Sequence, residues 1–307
     1  MSAGWVAGNV RAKGLLRRRL GVAGTRAVAS MSSLADAQHA LAEGPYGRGV
    51  VAGQTPAQTE HAVSATVLWH LRVLAGWQPR EGARALRCLA AGFEAANIVA
   101  HARTLAGADP LPVFDLGSLA TAWPRLAQTG SPGELRMALS ESLWGDPGGE
   151  SPADIAAAVR VSWAVRVATT VPEAASWARG GLALLIAHRT LVQGRRLPET
   201  VATRSARVVG AAAATSSDLV SLVAALPRAA RWSITGIDDV DELWRAEARW
   251  WARLDRDGLQ LLTGTGFSRA RPVGAAAVLA ADAWRCRAAL GMAARGGGPM
   301  DAYDAIA

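Results

Sequence analysis

The sequence is poor in the residues that build disulfide frameworks, β-sheets and membrane spans. Its 307 residues include two cysteines, two tyrosines, three phenylalanines and one lysine, Lys13. Cys88 and Cys286 are too few and too scattered for a disulfide framework or a cysteine zinc site, so a reducing, cytoplasmic setting fits best. No uninterrupted apolar run approaches the roughly 18–20 residues that cross a membrane as a helix. These shortages argue against a disulfide-rich secreted domain and against a membrane-spanning protein.

What the chain has instead is a helical composition and a positive charge. Half of its residues are hydrophobic, alanine, leucine, valine and arginine dominate, and the net charge is +8. This composition predicts an all-α fold of about two domains, or one larger body built from repeats. The first 35 residues contain several arginines and no acid, as in an organellar transit peptide, but VRAKGLLRRRLG fits the first structural helix equally well.

One segment of the sequence occurs twice. SSLADAQHALAEGPYG (32–47) and GSPGELRMALSESLWG (130–145) both contain a hydroxyl residue, an acid three residues later, Ala-Leu, Glu, and an aromatic residue followed by Gly. A hydroxyl and an acid at this spacing predict a capping box at the start of a helix. The capping pairs are Ser33 with Asp36 and Ser131 with Glu134.

The repetition continues into a long helix and a returning helix. TPAQTEHAV, from Thr55, and SPADIAAAV, from Ser151, both place proline at the first helical position, where no hydrogen bond is lost. The returning helices end in the similar strings AHARTLAG and AHRTLVQG. A third copy takes Thr215 as its hydroxyl and Asp218 as its acid, followed by DDVDELWRAEARWWARL and PVGAAAVLAADAWRCRAALGMAARG.

Helical units of this kind cannot bury their apolar faces alone, so repetition favours packing of one unit against the next. We therefore predict three quasi-repeated helical units packed side by side. Their predicted bounds are 1–110, 111–200 and, for the less regular copy, 201–307.

Motifs for catalysis are scarce. Lys13 has no GxxxxG before it and no Ser or Thr after it, no GxSxG elbow occurs, and the five histidines lack the spacing of a zinc pair on one helix. The segment DDVDE (238–242) resembles the Asp-rich motif that holds magnesium in all-helical terpene cyclases. Four acids at the start of a helix also complement its dipole. We expect no catalytic residue, metal or cofactor, with a magnesium-dependent terpene-cyclase-like enzyme as an alternative.

A basic cluster formed by Lys13, Arg17, Arg18 and Arg19 lies near the N-terminus. Such a cluster can bind phosphates of lipid or nucleic acid, and it is equally typical of a solvated helix surface. Only Trp5 accompanies these charges, which argues against single-strand nucleic-acid binding. A basic helical adaptor for lipid or nucleic acid is the second alternative.

The segment FEAANIVAHARTLAG (93–107) resembles one in the central-stalk socket proteins of the V/A-type rotary ATPases, the C/d family. The family pattern is an aromatic residue, an acid, two spacers, Asn and an aliphatic residue, with an Arg and a Gly farther along. The matching residues are Phe93, Glu94, Asn97, Ile98, Arg103 and Gly107. NVRAKGLLRRRLG and the PYG that ends the first repeated segment also resemble that family. The second copy lacks an Asn equivalent to Asn97, and the closing helix lacks the family's Lys-Glu pair near Asp282.

The resemblance implies a funnel-like, non-catalytic socket in the central stalk of a rotary ATPase. Such a protein lies on the cytoplasmic face of the membrane without spanning it, and its partners are the membrane rotor ring and the central shaft, with no nucleic acid. It transmits torque that couples ATP to proton or sodium transport. Side chains near the ends of loops and in the basic cluster are candidate partner contacts, although those in loops are also expected to anchor turns. They are Arg17, Arg18, Arg19, Tyr46, Arg48, Trp144 and Asp146.

Overall fold

The computed structural model describes residues 3–305 and is built from helices. Within these residues there are sixteen α-helices, joined by short 3-10 turns and one π-helical turn, and no β-strand. The predicted all-α fold class is confirmed. None of the helices in this described part of the chain combines the length and the apolar character required to cross a bilayer.

The chain divides into two compact units. Unit 1 consists of residues up to 86 and from 251 onward, and unit 2 consists of residues 87–250. The three-unit organisation that the repeats predict is a different, sequence-based division and stays a prediction.

Unit 1 is built from helices of both ends of the chain. Its helices are α1 (Ala3–Gly14), α2 (Gly21–Ala29), α3 (Leu34–Glu43), α4 (Pro56–Gly76), the first turns of α5 (Arg80–Leu105), most of α14 (Leu243–Thr263), α15 (Ala270–Ala293) and α16 (Met300–Asp304). Helix α15 is the centre of the unit, since α1, α2, α3, α4 and α16 all pack against it. Sixteen of its residues are buried.

Unit 2 has shorter helices between its long ones. It contains the rest of α5, α6 (Trp123–Leu126), α7 (Pro132–Ser140), α8 (Pro152–Thr170), α9 (Ala175–Ala187), α10 (Glu199–Val209), α11 (Ala211–Thr215), α12 (Leu219–Ala225), α13 (Arg228–Arg231) and the first turns of α14. Helix α9 continues into the π-helical turn His188–Val192. Helices α8, α10 and α13 pack against α9.

Both copies of the repeated segment start a helix as predicted, although the acid has a different role from the one expected. Ser33 caps α3 and Ser131 caps α7, each accepting a hydrogen bond from the backbone N–H three residues on. A full capping box would have the acid accept from the cap residue's own N–H. Asp36 instead accepts from the Ser33 hydroxyl, and Glu134 accepts from the N–H of Gly130.

The long helices also begin at the predicted residues. Thr55 caps α4 in a complete capping box with Gln58, which accepts from the Thr55 N–H. Ser151 caps α8, accepting from the Asp154 N–H, and both helices have proline in their first turn. The proline ring occupies a position whose N–H would have no helical partner.

The predicted cap of the third copy is wrong. Thr215 is the last residue of α11, and the cap of α12 is Asp218, whose carboxylate accepts from the Ser221 N–H at 2.8 Å. The alanine run before Thr215 forms its own short helix, which shifts the start of the next helix by three residues.

Two tryptophans in unit 2 lie on glycines of neighbouring helices in the same way. The Trp163 indole stands 3.0 Å from where a Cβ on Gly92 would lie, and its N–H donates to the Cys88 carbonyl oxygen at 3.0 Å. The Trp250 indole approaches Gly181, and its N–H donates to the Trp177 carbonyl oxygen at 2.9 Å. In both cases the carbonyl belongs to the residue four positions before the glycine, so the two helix contacts share one geometry.

Candidate functional site: two buried carboxylates and the basic surface

Glu94, the acid of the family-like segment, is completely buried in unit 2. Its carboxylate accepts hydrogen bonds from the backbone N–H groups of Thr121, Ala122 and Trp123 at 2.6–2.9 Å. It also accepts from the Thr121 hydroxyl and from the Trp144 indole N–H. These backbone groups lie at the start of α6, where N–H groups have no helical partner and the dipole favours negative charge.

Asn97, one turn farther along α5, is 1% exposed, and its side-chain amide forms two hydrogen bonds with the backbone of Phe114. Its side-chain amide donates to the Phe114 carbonyl oxygen at 2.9 Å, and its carbonyl accepts from the Phe114 N–H at 2.7 Å. The Phe93 and Phe114 rings meet edge to face, with centroids 5.1 Å apart. The Phe-Glu-x-x-Asn pattern therefore fastens the 114–123 segment to α5.

Asp282 has the corresponding position in unit 1. It is completely buried in α15 and accepts from the N–H groups of Leu20 and Gly21 at 2.9 and 2.8 Å, at the start of α2. The Tyr46 hydroxyl donates to the same carboxylate at 2.8 Å. Desolvation, with the nearby Cys286 and Asp282, holds the pKa of Tyr46 well above its ordinary value, so the phenol keeps its proton.

The two carboxylates thus have partners of similar kinds. Each projects from a long helix, accepts backbone N–H groups at the start of a short helix, and accepts one donor from the aromatic residue of an aromatic-Gly pair. The sequence pointed to Tyr46 and Trp144 as the ends of repeated segments but did not predict these partners. The only sequence signal for the buried Asp282 carboxylate is that it is a single acid within an alanine-rich stretch.

The glycine of each aromatic-Gly pair is required by its surroundings. A Cβ at Gly47 would overlap the Ala42 carbonyl oxygen, and Gly145 has a φ of +73° and lies against the Arg204 guanidinium. Glycine permits both the close approach and the left-handed backbone. The turns that follow Tyr46 and Trp144 are therefore fixed by local sterics.

Tyr46 and Trp144 are each 1% exposed, so neither offers side-chain surface to a partner. Their structural role is to anchor turns on the buried carboxylates. Asp146 is a turn residue too: its carboxylate accepts from the Gly148 N–H at 2.9 Å and pairs with Arg136 at 3.1 Å. The Gly148 hydrogen bond, followed by the Arg136 contact, lowers the pKa of Asp146.

The predicted basic contacts have different surroundings. Arg17, Arg18 and Arg48 are exposed. Arg19 is half-buried, and its guanidinium lies 3.7 Å from the Asp255 carboxylate, which also accepts from Arg285 at 2.9 Å. Arg19 therefore contributes to the interior charge balance of unit 1.

The acidic segment 238–242 starts a helix. Asp239 caps the 3-10 turn Val240–Glu242, accepting from the Asp241 N–H, and Glu242 pairs with Arg245 at 2.6 Å. Helix α14 follows directly. Within residues 3–305, no three His, Cys, Asp or Glu side chains are grouped closely enough to hold a metal ion.

In the part of the chain that the structure describes, the protein is all-helical, and the buried carboxylates of Glu94 and Asp282 each organise the start of a helix. Comparison of the sequence with protein-family models and with curated proteins finds no match.

Proposed function

We propose that this chain is the central-stalk socket of a V/A-type rotary ATPase. In this role it links the membrane rotor ring to the central shaft and makes no chemical bond itself. It sits on the cytoplasmic face of the membrane and turns with the ring. Torque passing through it couples ATP to proton or sodium transport.

The observation that carries the proposal is the structural role of the family-like segment. Glu94 and Asn97, the polar residues of the resemblance, are buried and engage backbone groups 17–29 residues away. A substitution at either position would leave these partly buried backbone groups without their partners. This explains why an acid and an Asn at this spacing belong together in a helix of this kind.

The matched contacts support a body assembled from related helical units. The Glu94 and Asp282 carboxylates each accept from an aromatic residue of an aromatic-Gly pair. The Trp163 and Trp250 indoles each donate to the carbonyl four residues before a glycine. A repeated contact pattern is what three quasi-repeated units, with the bounds given by the sequence, would produce. The funnel formed by those units is part of the proposal.

Exposed arginines supply candidate contacts with the ring or the shaft. Arg17 and Arg48 are exposed, and within the described part of the chain neither forms an ion pair with a carboxylate. A charge at the rim of an interface acts mainly on the rate of association and its salt dependence. Arg17 is therefore the preferred position for testing a partner contact.

Affinity purification from native membranes tests the proposal. Membranes of cells that express the tagged chain are solubilised in mild detergent, and the bound proteins are identified by mass spectrometry. We expect the nucleotide-binding proteins of a rotary ATPase and its rotor-ring protein to co-purify in fixed proportion. Recovery of the chain without any rotary ATPase component would contradict the proposal.

A charge reversal localises the contact. Arg17→Glu should lower the yield of ring and shaft proteins most at low salt, because it places an acid in the basic cluster, and the deficit should shrink as salt is raised and screens the reversed charge. Arg160→Glu is the matched control, since Arg160 is an exposed arginine of α8 and does not belong to the basic cluster. Equal yields from both variants would remove Arg17 from the interface.

A further inference from the structure

Unit 1 contains a cleft of about 460 Å³ in which three arginines surround a buried histidine. Its walls come from α1, the 3-10 turn Leu15–Arg17 with the following residue, the loop after α3, and the middle of α4. The charged or aromatic residues among them are Arg11, Arg18, Arg48, Trp69 and His70. Among the described residues that line the cleft, none is acidic.

Two of the three guanidinium groups stack on aromatic rings. The Arg48 guanidinium carbon lies 4.2 Å from the centroid of Trp69, and that of Arg11 lies 5.0 Å from the centroid of Trp77. Stacking uses the face of a guanidinium and leaves its N–H edges available for a planar, bidentate acceptor. Arginines held in this way lose less conformational freedom when they bind an anion.

His70 forms the floor of the cleft. It is 8% exposed and meets the Trp69 ring edge to face at 4.9 Å. Burial, with the charges of Arg18, Arg48 and Arg11, lowers the pKa of His70 to about 4. The imidazole is therefore neutral at pH 7, and the positive charge of the cleft comes from the arginines.

We propose that this cleft binds a phosphate group, carried either by a small phosphorylated molecule or by the headgroup of an anionic lipid. Three guanidinium groups without a carboxylate match an anionic phosphate group, and arginine forks fit phosphate oxygens in pairs. The volume of the cleft falls within the range of small-molecule sites. A cleft of this size is too small to hold a folded partner. The argument for this site does not use the rotary-motor proposal, although Arg48 is a candidate residue in both.

Calorimetric titration tests the site. Inorganic diphosphate is titrated into the full-length chain at low salt and pH 7. We expect saturable binding to one site, weakened at least about tenfold in the double variant Arg18→Ala/Arg48→Ala. Arg160→Ala is the control, because Arg160 is an exposed arginine outside the cleft, and it should bind as the wild type does. Thermal unfolding of each variant confirms that it is folded.

A vesicle arm separates the two sources of the phosphate. Sedimentation is measured with phosphatidylglycerol vesicles and with phosphatidylcholine vesicles. Binding to phosphatidylglycerol that the double variant loses identifies a lipid headgroup, whereas binding to diphosphate alone identifies a soluble phosphate ester. Absence of saturable binding in both arms, or equal binding by the double variant, would overturn the proposal.

The NMR signal of His70 reports directly whether the cleft is occupied by phosphate. A bound phosphate favours the imidazolium, so the pKa of His70, followed by NMR of histidine-labelled protein, should rise from about 4 when diphosphate is added. A diphosphate-binding protein whose His70 titration does not move would place the ligand elsewhere.

Discussion

At the residue scale, the buried carboxylates of Glu94 and Asp282 explain features of the sequence that are otherwise isolated. Burial of a carboxylate is costly unless its oxygens are hydrogen-bonded. Both groups receive backbone N–H donors from the start of a helix, which satisfies the carboxylate and the helix end at once. Each of these acids therefore holds the start of a short helix against the long helix that carries it.

Replacing Glu94 with Ala should lower the free energy of unfolding by about 3 kcal/mol or more. The change leaves the N–H groups of Thr121, Ala122 and Trp123 without their acceptor. Glu94→Gln should fall between Ala and the wild type, because one carboxylate oxygen is replaced by an amide donor. Urea unfolding measures the difference. Glu247→Ala, at an exposed position of α14, is the control and should change stability little; a similar loss in both Ala variants would contradict this account.

The lowered pKa of His70 predicts a pH dependence of stability. Its folded-state pKa of about 4 lies below the ordinary value of 6.5, so the unfolded chain binds the proton more readily. The stability that neutral His70 contributes is complete above pH 6.5 and is lost as the pH falls towards 4. Urea unfolding at pH 7 and pH 5 should show a larger loss for the wild type than for His70→Gln. Equal losses would mean that His70 does not titrate in this window.

At the element scale, helix starts depend mainly on nearby residues. Ser33, Thr55, Ser131 and Ser151 cap their helices because each hydroxyl needs only a backbone N–H three residues away. Such contacts follow from sequence spacing alone. The third copy shows where local reasoning fails, since the choice between Thr215 and Asp218 depended on the unpredicted helix α11.

The corrected cap gives a matched pair of variants. Asp218→Ala should lower the free energy of unfolding by about 1 kcal/mol, because the Ser221 N–H loses its acceptor. Thr215→Ala should change it by less than about 0.5 kcal/mol, since the Thr215 side chain is exposed and caps nothing. Chemical unfolding of both variants measures the difference, and the reverse order would restore the cap that the sequence predicted.

The contacts that define the candidate sites could not be predicted from sequence. Asp282 binds N–H groups 261 and 262 residues away, and Glu94 binds groups 27–29 residues away. The cationic cleft combines Arg11, Arg18 and Arg48 with His70, which only tertiary packing brings together. The sequence did indicate Arg18 and Arg48 as candidate contacts, because exposed charges near helix ends and turns can be recognised locally.

At the scale of the whole molecule, the all-helical content of the described residues is compatible with the proposed rotary-motor socket. Close-packed helical interiors transmit strain, and the net charge of +8 favours association with anionic surfaces or acidic partners. Helices α4, α5, α8, α14 and α15 each span 19–26 residues. These properties are compatible with a subunit that transmits torque. The coupling of ATP hydrolysis to ion transport is what has to be measured.

The most direct measurement is ATP-driven ion uptake by inverted membrane vesicles from cells lacking this chain. A pH-sensitive dye and radioactive sodium report the two possible coupling ions. We predict that uptake is lost while ATP hydrolysis by the soluble part of the complex persists, and that uptake returns when the chain is supplied from a plasmid. Vesicles that pump equally well without the chain would contradict the account.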